Sequence, residues 1–278
     1  MRTWAMLLVV LCGIGLASDR RSPFRPKKKP QPGDWLSVYR ERGQSFASYT
    51  ASQPVRARLG EEILFVPVGP FTKEQRVLLK ETAYFTELWY GVPVRIDKPA
   101  ELPKKRWHRK RGGVTQYRTR YFLDELLPSR RTEKTVTICG ITMADLYPLP
   151  SWNFVFGEAS LRGRVGVWSF HRLVKGSRTE QLRRCLKIVT HEIGHTFGLE
   201  HCIAFECNMN GANSLGEMDR QPLHLCPHCL KKLRWNRGFK HLERYGRLLG
   251  YYEDKGLEKE RLFLSEAIAY RRTFRSSK

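Results

Sequence analysis

Apolar and polar positions along this chain alternate between two periods. Ile63 to Val68, within "EEILFVPVGP", is an apolar run closed by a turn signal and predicts a buried strand. From Thr72 to Tyr90 the period lengthens. Val77, Leu78, Ala83 and Leu88 follow a helical pattern, with Thr72 as N-cap. "VPVRID" predicts a second strand, "KKRWHRKRGG" a basic loop and "QYRTRYFLDELL" another helix. "TVTICGIT" reads as a buried strand, with "NFVFGEA" and "RVGVWSFHRL" as two more. From Ser177 onward the pattern is mainly helical. Between Arg178 and Leu199, the residues Leu182, Leu186, Val189, Ile193 and Phe197 form one stripe, the face that turns toward a core. No internal repeat is visible. Strands and helices in this order predict a mixed α/β (α+β) fold with a helical C-terminal part.

Length changes this picture little, since 278 residues suit one medium-sized domain with appendages. Charge changes it more. Fifty Lys+Arg against 27 Asp+Glu give a net charge of +23, which favours anionic partners without choosing among them. The 41% of hydrophobic residues argues against a disordered chain.

The N-terminus divides into two segments. Residues 1–17 read as a signal peptide: Arg2 precedes an apolar run from Trp4 to Leu16, and small residues end at Ala17. As a helix the run spans roughly 20 Å, short for a bilayer. Export to the periplasm or beyond is therefore expected, with membrane tethering or cytoplasmic retention as alternatives. Arg20, Arg21, Arg25, Lys27, Lys28 and Lys29 follow the run, an asymmetry that opposes export. Residues 18–60, with "RPKKKPQPGDW", read as a basic Pro/Lys-rich arm or linker ahead of the core domain at 61–278.

The chemistry concentrates in "THEIGHTFGLEHCIAFECNM", residues 190–209. On a helix, His191 and His195 lie roughly 40° apart and can grip one ion, while Ile193 sits roughly 200° away on the core face. Glu192 projects beside such an ion, where a general base is needed. Gly198 accepts the positive φ that ends a helix, which lets His201 approach from outside it. Three neutral imidazoles leave zinc an open position, and water held there is activated near neutral pH. The full H-E-x-x-H-x-x-G-x-x-H string is far more specific than H-E-x-x-H alone. The arrangement equips amide hydrolysis.

Cys202 and Cys207, followed by Cys226 and Cys229 in "CPHC", have the spacing of a closed tetrahedral zinc site. Two disulfides are the alternative in an exported chain, although C-x2-C is poor structural disulfide geometry. Cys139 and Cys185 read as buried free thiols.

The histidine string, C207-N-M209 and C226-P-H-C229 together resemble the archaemetzincin family of metallopeptidases. The resemblance extends over about residues 61 to 250, including "QYRTRYFLDELL" and "DLYPLPSWNFVFGEA". It implies a compact metzincin-like zincin fold, a catalytic zinc on His191, His195 and His201, and Glu192 as general base. It also implies a second, structural zinc on Cys202, Cys207, Cys226 and Cys229, Met209 as the Met-turn residue beneath the site, and aminopeptidase action. The N-terminal apolar segment departs from the family pattern.

The expected function is zinc-dependent hydrolysis of a peptide or protein substrate by a monomer. The substrate would lie extended along an edge strand. "RGRVGVWSF" is the candidate for that strand. The alternative is a basic polyanion-binding protein with structural zinc, carried by Arg20–Lys29, Lys104–Arg111 and Lys231–Arg247. Glu192 separates the two, since a binding protein needs no base beside an open metal.

Overall fold

Two short helices, α1 (Trp35–Val38) and α2 (Phe46–Ala51), precede the first strand. The computed structural model describes residues 22–160 and 163–275. The signal-like segment from Met1 to Ala17, with Arg20 and Arg21, lies outside them. β1 (Glu62–Val68) is the expected apolar run. α3 (Lys73–Tyr90) begins at Thr72, whose hydroxyl accepts from the Gln75 N–H while the Gln75 side chain returns to the Thr72 N–H. This capping box satisfies two otherwise orphaned donors, and Gly91 closes the helix at φ +63. β2 (Val94–Ile96) then returns to the sheet.

The next segment departs from expectation. "KKRWHRKRGG" is no loop: β3 (His108–Arg111) forms an antiparallel hairpin with β4 (Val114–Arg118) around Gly112 and Gly113, both at positive φ. β4 also takes Gln116 to Arg118 from the expected helix. Only α4 (Thr119–Tyr121) and a π turn at Phe122–Leu126 remain helical there.

β5 (Thr135–Thr142) is buried throughout, and β6 (Asp145–Tyr147), β7 (Gly157–Ser160) and β8 (Val165–Ser169) follow. The main sheet runs β2-β1-β5-β8-β7, parallel except for β7, and a smaller sheet runs β3-β4-β6. β8 therefore lies inside the sheet between β5 and β7, which excludes "RGRVGVWSF" as an edge. The edge is β7.

Both faces of the central strands are covered, which is why β1 and β5 read as continuous apolar runs. Ile63 and Phe65 pack toward α3 and the helix that follows the sheet, while Leu64 and Val66 join Phe122, Leu127 and Ile138 on the other side. That helix is α5 (Arg178–Thr196), capped by a Ser177–Glu180 box. Its predicted stripe, Leu182 through Phe197, is buried as expected. α6 (Leu215–Arg220), α7 (Pro227–Arg237), α8 (His241–Asp254) and α9 (Glu258–Arg275) complete the chain. No described helix is long and apolar enough to cross a membrane.

Candidate metal centres

α5 packs against β7 and β8, so its polar side faces a cleft of about 1160 Å³ beneath the β7 edge. His191 and His195 project into this cleft one turn apart, with ring centroids 4.6 Å from each other. The helix ends at Thr196, and Gly198 turns the chain at φ +79, as its sequence position predicts. A side chain would be strained at that φ, and a methyl group there would also lie 2.7 Å from Pro54 Cβ. After the turn the His201 ring stands 5.2 and 5.0 Å from those of His191 and His195. The potential ligand atoms of the three residues all fall within 4.8 Å of one another.

The Nδ1 atoms reveal how the rings are used. His191 Nδ1 donates to Asn208 O at 2.8 Å, His195 Nδ1 to Leu199 O at 2.6 Å, and His201 Nδ1 to Glu41 Oε1 at 2.6 Å. With each Nδ1 carrying the proton, every Nε2 presents a lone pair. His191 Nε2 and His195 Nε2 nevertheless face each other at 3.0 Å. Two lone pairs so close repel unless a cation lies between them. Tetrahedral zinc–imidazole coordination separates ligand nitrogens by roughly 3.3 Å, so the donor set fits that ion. Burial and the neighbouring rings hold His191 well below the usual imidazole range, and His195 at about 4. Both rings are therefore neutral.

Glu192 is buried beside the imidazoles. Burial, and then the nearby Glu158 carboxylate, raise it to about 8. A cation bound between the imidazoles would act in the opposite direction and favour the carboxylate. Gly157 on β7 leaves the space that Glu192 fills, because a methyl group there would lie 3.0 Å from its Cγ, Cδ and Oε1. Glu158, next along the edge, accepts a hydrogen bond from Thr119 Oγ1 and lines the same cleft.

Met209 is fully buried beneath α5. A methyl group on Gly194 would come 2.6 Å from its Sδ, so that glycine allows the thioether to reach the helix backbone. The adjoining Asn208 donates through Nδ2 to Thr190 Oγ1 at 2.9 Å. The Asn208–Met209 turn and α5 are thereby joined on both sides of His191.

Cys202, Cys207, Cys226 and Cys229 come together in a second cluster, all buried and all free of disulfides. The Cys202 and Cys226 sulfurs are 3.6 Å apart, close to the roughly 3.8 Å of a tetrahedral zinc–thiolate site. Backbone N–H groups of Met209, Cys226 and Cys229 donate to the sulfurs of Cys207, Cys207 and Cys226. Such donors favour thiolates, and hydrogen bonds from its three partners hold the Cys202 thiol far below its usual range. Cys139 and Cys185 are buried elsewhere, and burial pushes both thiols well up.

Sequence spacing located the seven clustered histidines and cysteines but not Glu41, Asn208, Gly157 or Glu158. Asn208 and Leu199 act through backbone carbonyls, which carry no side-chain signature. Glu41 lies 160 residues before His201, in a segment whose composition suggested only an arm.

Residues 89–235 match peptidase family M54. Archaemetzincin-2 of Macaca fascicularis is 34% identical over 272 residues, covering 84% of this chain and 75% of that relative. The archaemetzincin of Methanopyrus kandleri is 40% identical over 139 residues, 50% of this chain and 76% of that one. A crystal structure of the Methanopyrus kandleri archaemetzincin is similar at a TM-score of 0.56 and 32% identity, covering 66% of this chain and 98% of that chain.

Proposed function

Because this chain belongs to the archaemetzincins, peptidase family M54, and is a zinc metallopeptidase, we propose that it cleaves peptide bonds in the cleft beneath β7, with Glu192 as general base. His191, His195 and His201 hold the catalytic ion in this reading, and the four clustered cysteines hold a structural one. A zinc ion held there would supply Lewis acidity toward a scissile carbonyl and a water molecule. Glu192 takes the proton of that water and delivers it to the leaving amine. Its fixed position against Gly157 keeps the carboxylate beside the reacting atoms. The observation that carries the reading is the shared commitment of three Nδ1 protons, which turns three Nε2 lone pairs toward one point.

Among the described residues no strand pairs with the outer edge of β7 over this site, and an extended peptide can add to it as a further strand. Glu158 on that edge supports aminopeptidase action. A carboxylate held by Thr119 close to Glu192 suits the α-ammonium group of a substrate whose first peptide bond is cleaved. The test compares wild type with Glu192→Gln on peptides with free and N-acetylated termini. The variant should keep its zinc and lose cleavage, and the wild type should strongly prefer the free terminus. Retained activity in Glu192→Gln would remove Glu192 as base. Equal cleavage of blocked peptides would replace aminopeptidase with endopeptidase action.

A further inference from the structure

The arm that precedes the sheet reaches the histidine cluster. Between α1 and α2 it passes across the turn that ends α5. Gln44 Nε2 donates to Gly198 O at 2.9 Å, and Gln44 Oε1 accepts from Glu200 N at 3.3 Å, so one side chain grips both sides of that turn. The buried Lys232 fixes Gln44 in its place by donating to Gln44 O at 2.5 Å and to its Oε1 at 3.1 Å. Three residues earlier, Glu41 Oε1 accepts from both His201 Nδ1 at 2.6 Å and Trp35 Nε1 at 2.8 Å. Trp35 stands edge-on to His201, with centroids 4.9 Å apart. Its backbone N–H donates to the buried Glu217 carboxylate at 3.0 Å.

Glu41 differs from an incidental surface acid in three ways. Among the described residues no lysine or arginine forms an ion pair with it, in a chain with 50 Lys+Arg. Its Oε2 is buried without a hydrogen-bond partner among the described residues. His191 and His195 lean on backbone carbonyls, whereas His201 alone leans on a carboxylate. His201 is also the one imidazole outside the helix, where no regular backbone ladder fixes its approach.

We propose that Glu41 is a positioning residue of the catalytic metal centre: it fixes the tautomer and orientation of His201 and strengthens its hold on the ion, which makes the N-terminal arm part of the active site. The arm lies outside residues 89–235, the part matched by the family model. The proposal rests on His201 being a metal ligand, and the experiment keeps the two apart.

Glu41→Gln retains an oxygen for both donors and removes the charge, whereas Glu41→Ala removes both. In the full chain, the affinity of the histidine site for Zn2+ is measured by competition with a chromophoric chelator. The visible spectrum of the Co2+-substituted protein reports the ligand field independently of turnover. Glu41→Ala should weaken zinc binding about 10- to 100-fold and shift the Co2+ bands, with a smaller loss in Glu41→Gln and the cysteine-site ion retained in both. Wild-type affinity and spectrum in both variants would overturn the proposal. If Glu41→Ala does not fold, judged by loss of the cysteine-site ion, the Gln variant decides alone. His201→Ala is the control for the underlying reading: wild-type metal binding in that variant would reject the three-histidine assignment itself.

Discussion

Gly157 illustrates how finely one position controls this site. It has ordinary strand geometry, so backbone strain is not what matters there. What matters is the 3.0 Å between a methyl group at 157 and three atoms of the Glu192 side chain. Gly157→Ala should push the carboxylate aside without touching a ligand. A displacement of that order costs up to about 100-fold in turnover when it misplaces a reacting group. The expected result is a fall in kcat with zinc content, fold and KM near wild type. Unchanged kcat would mean that Glu192 has room to yield, and that its placement does not depend on the β7 edge. Glu192 itself was legible in the sequence, because its neighbours at 191 and 195 define the helix face from which it projects. Glu41 was not, because its partner is 160 positions away and only the folded chain brings them together.

At the scale of elements, legibility followed how locally each element is specified. α3 and α5 carry their own capping boxes and apolar stripes, and both begin where the sequence predicts. The β3–β4 hairpin has no apolar face to announce it. Its charged residues are spent on tertiary contacts instead: Arg109 donates to Pro150 O at 2.7 Å and to Trp152 O at 2.5 Å, which fixes the loop that walls the cleft. The segment from His201 to Cys229 is the opposite case. It has little regular structure before α6, and the cysteine cluster links its two ends. Cys202 N donates to Met209 O at 2.7 Å, and Cys207 Sγ accepts from Cys226 N at 3.3 Å. Mild chelation should therefore empty the histidine site and abolish activity reversibly while the fold persists. Stripping the cysteine-site ion should then remove hydrogen-exchange protection from residues 199–237, because a structural zinc contributes folding free energy directly. Unchanged protection there after complete metal loss would show that packing alone orders the segment.

For the whole molecule, the +23 charge is the property that the catalytic site does not explain. Part of it is consumed inside the fold. Lys232 and Arg244 are buried, with Arg244 Nε donating to Trp89 O at 2.9 Å. Arg237 Nη1 donates to Ala57 O at 3.0 Å, and Arg111 to Trp152 O and the Asn153 side chain. The tracts at Lys104–Arg111 and Lys231–Arg247 are therefore weaker as anion surfaces than their composition suggests. Lys29, Arg40, Arg42, Lys104, Lys110, Lys231 and Arg247 remain exposed. We propose that this remainder binds polyanions independently of catalysis. Retention on heparin should then fall steeply with salt, as counterion release requires, and should be the same for wild type and Glu192→Gln. Replacing Lys104 and Lys110 by Ala should shallow the salt dependence, whereas Arg109→Ala should loosen the cleft wall and leave the salt dependence nearly unchanged. Salt-insensitive retention, or none, would remove polyanion binding as the reason for the charge. A salt dependence altered as much by Arg109→Ala as by the exposed lysines would place the anion at the cleft, and would make it a competitor of the peptide substrate.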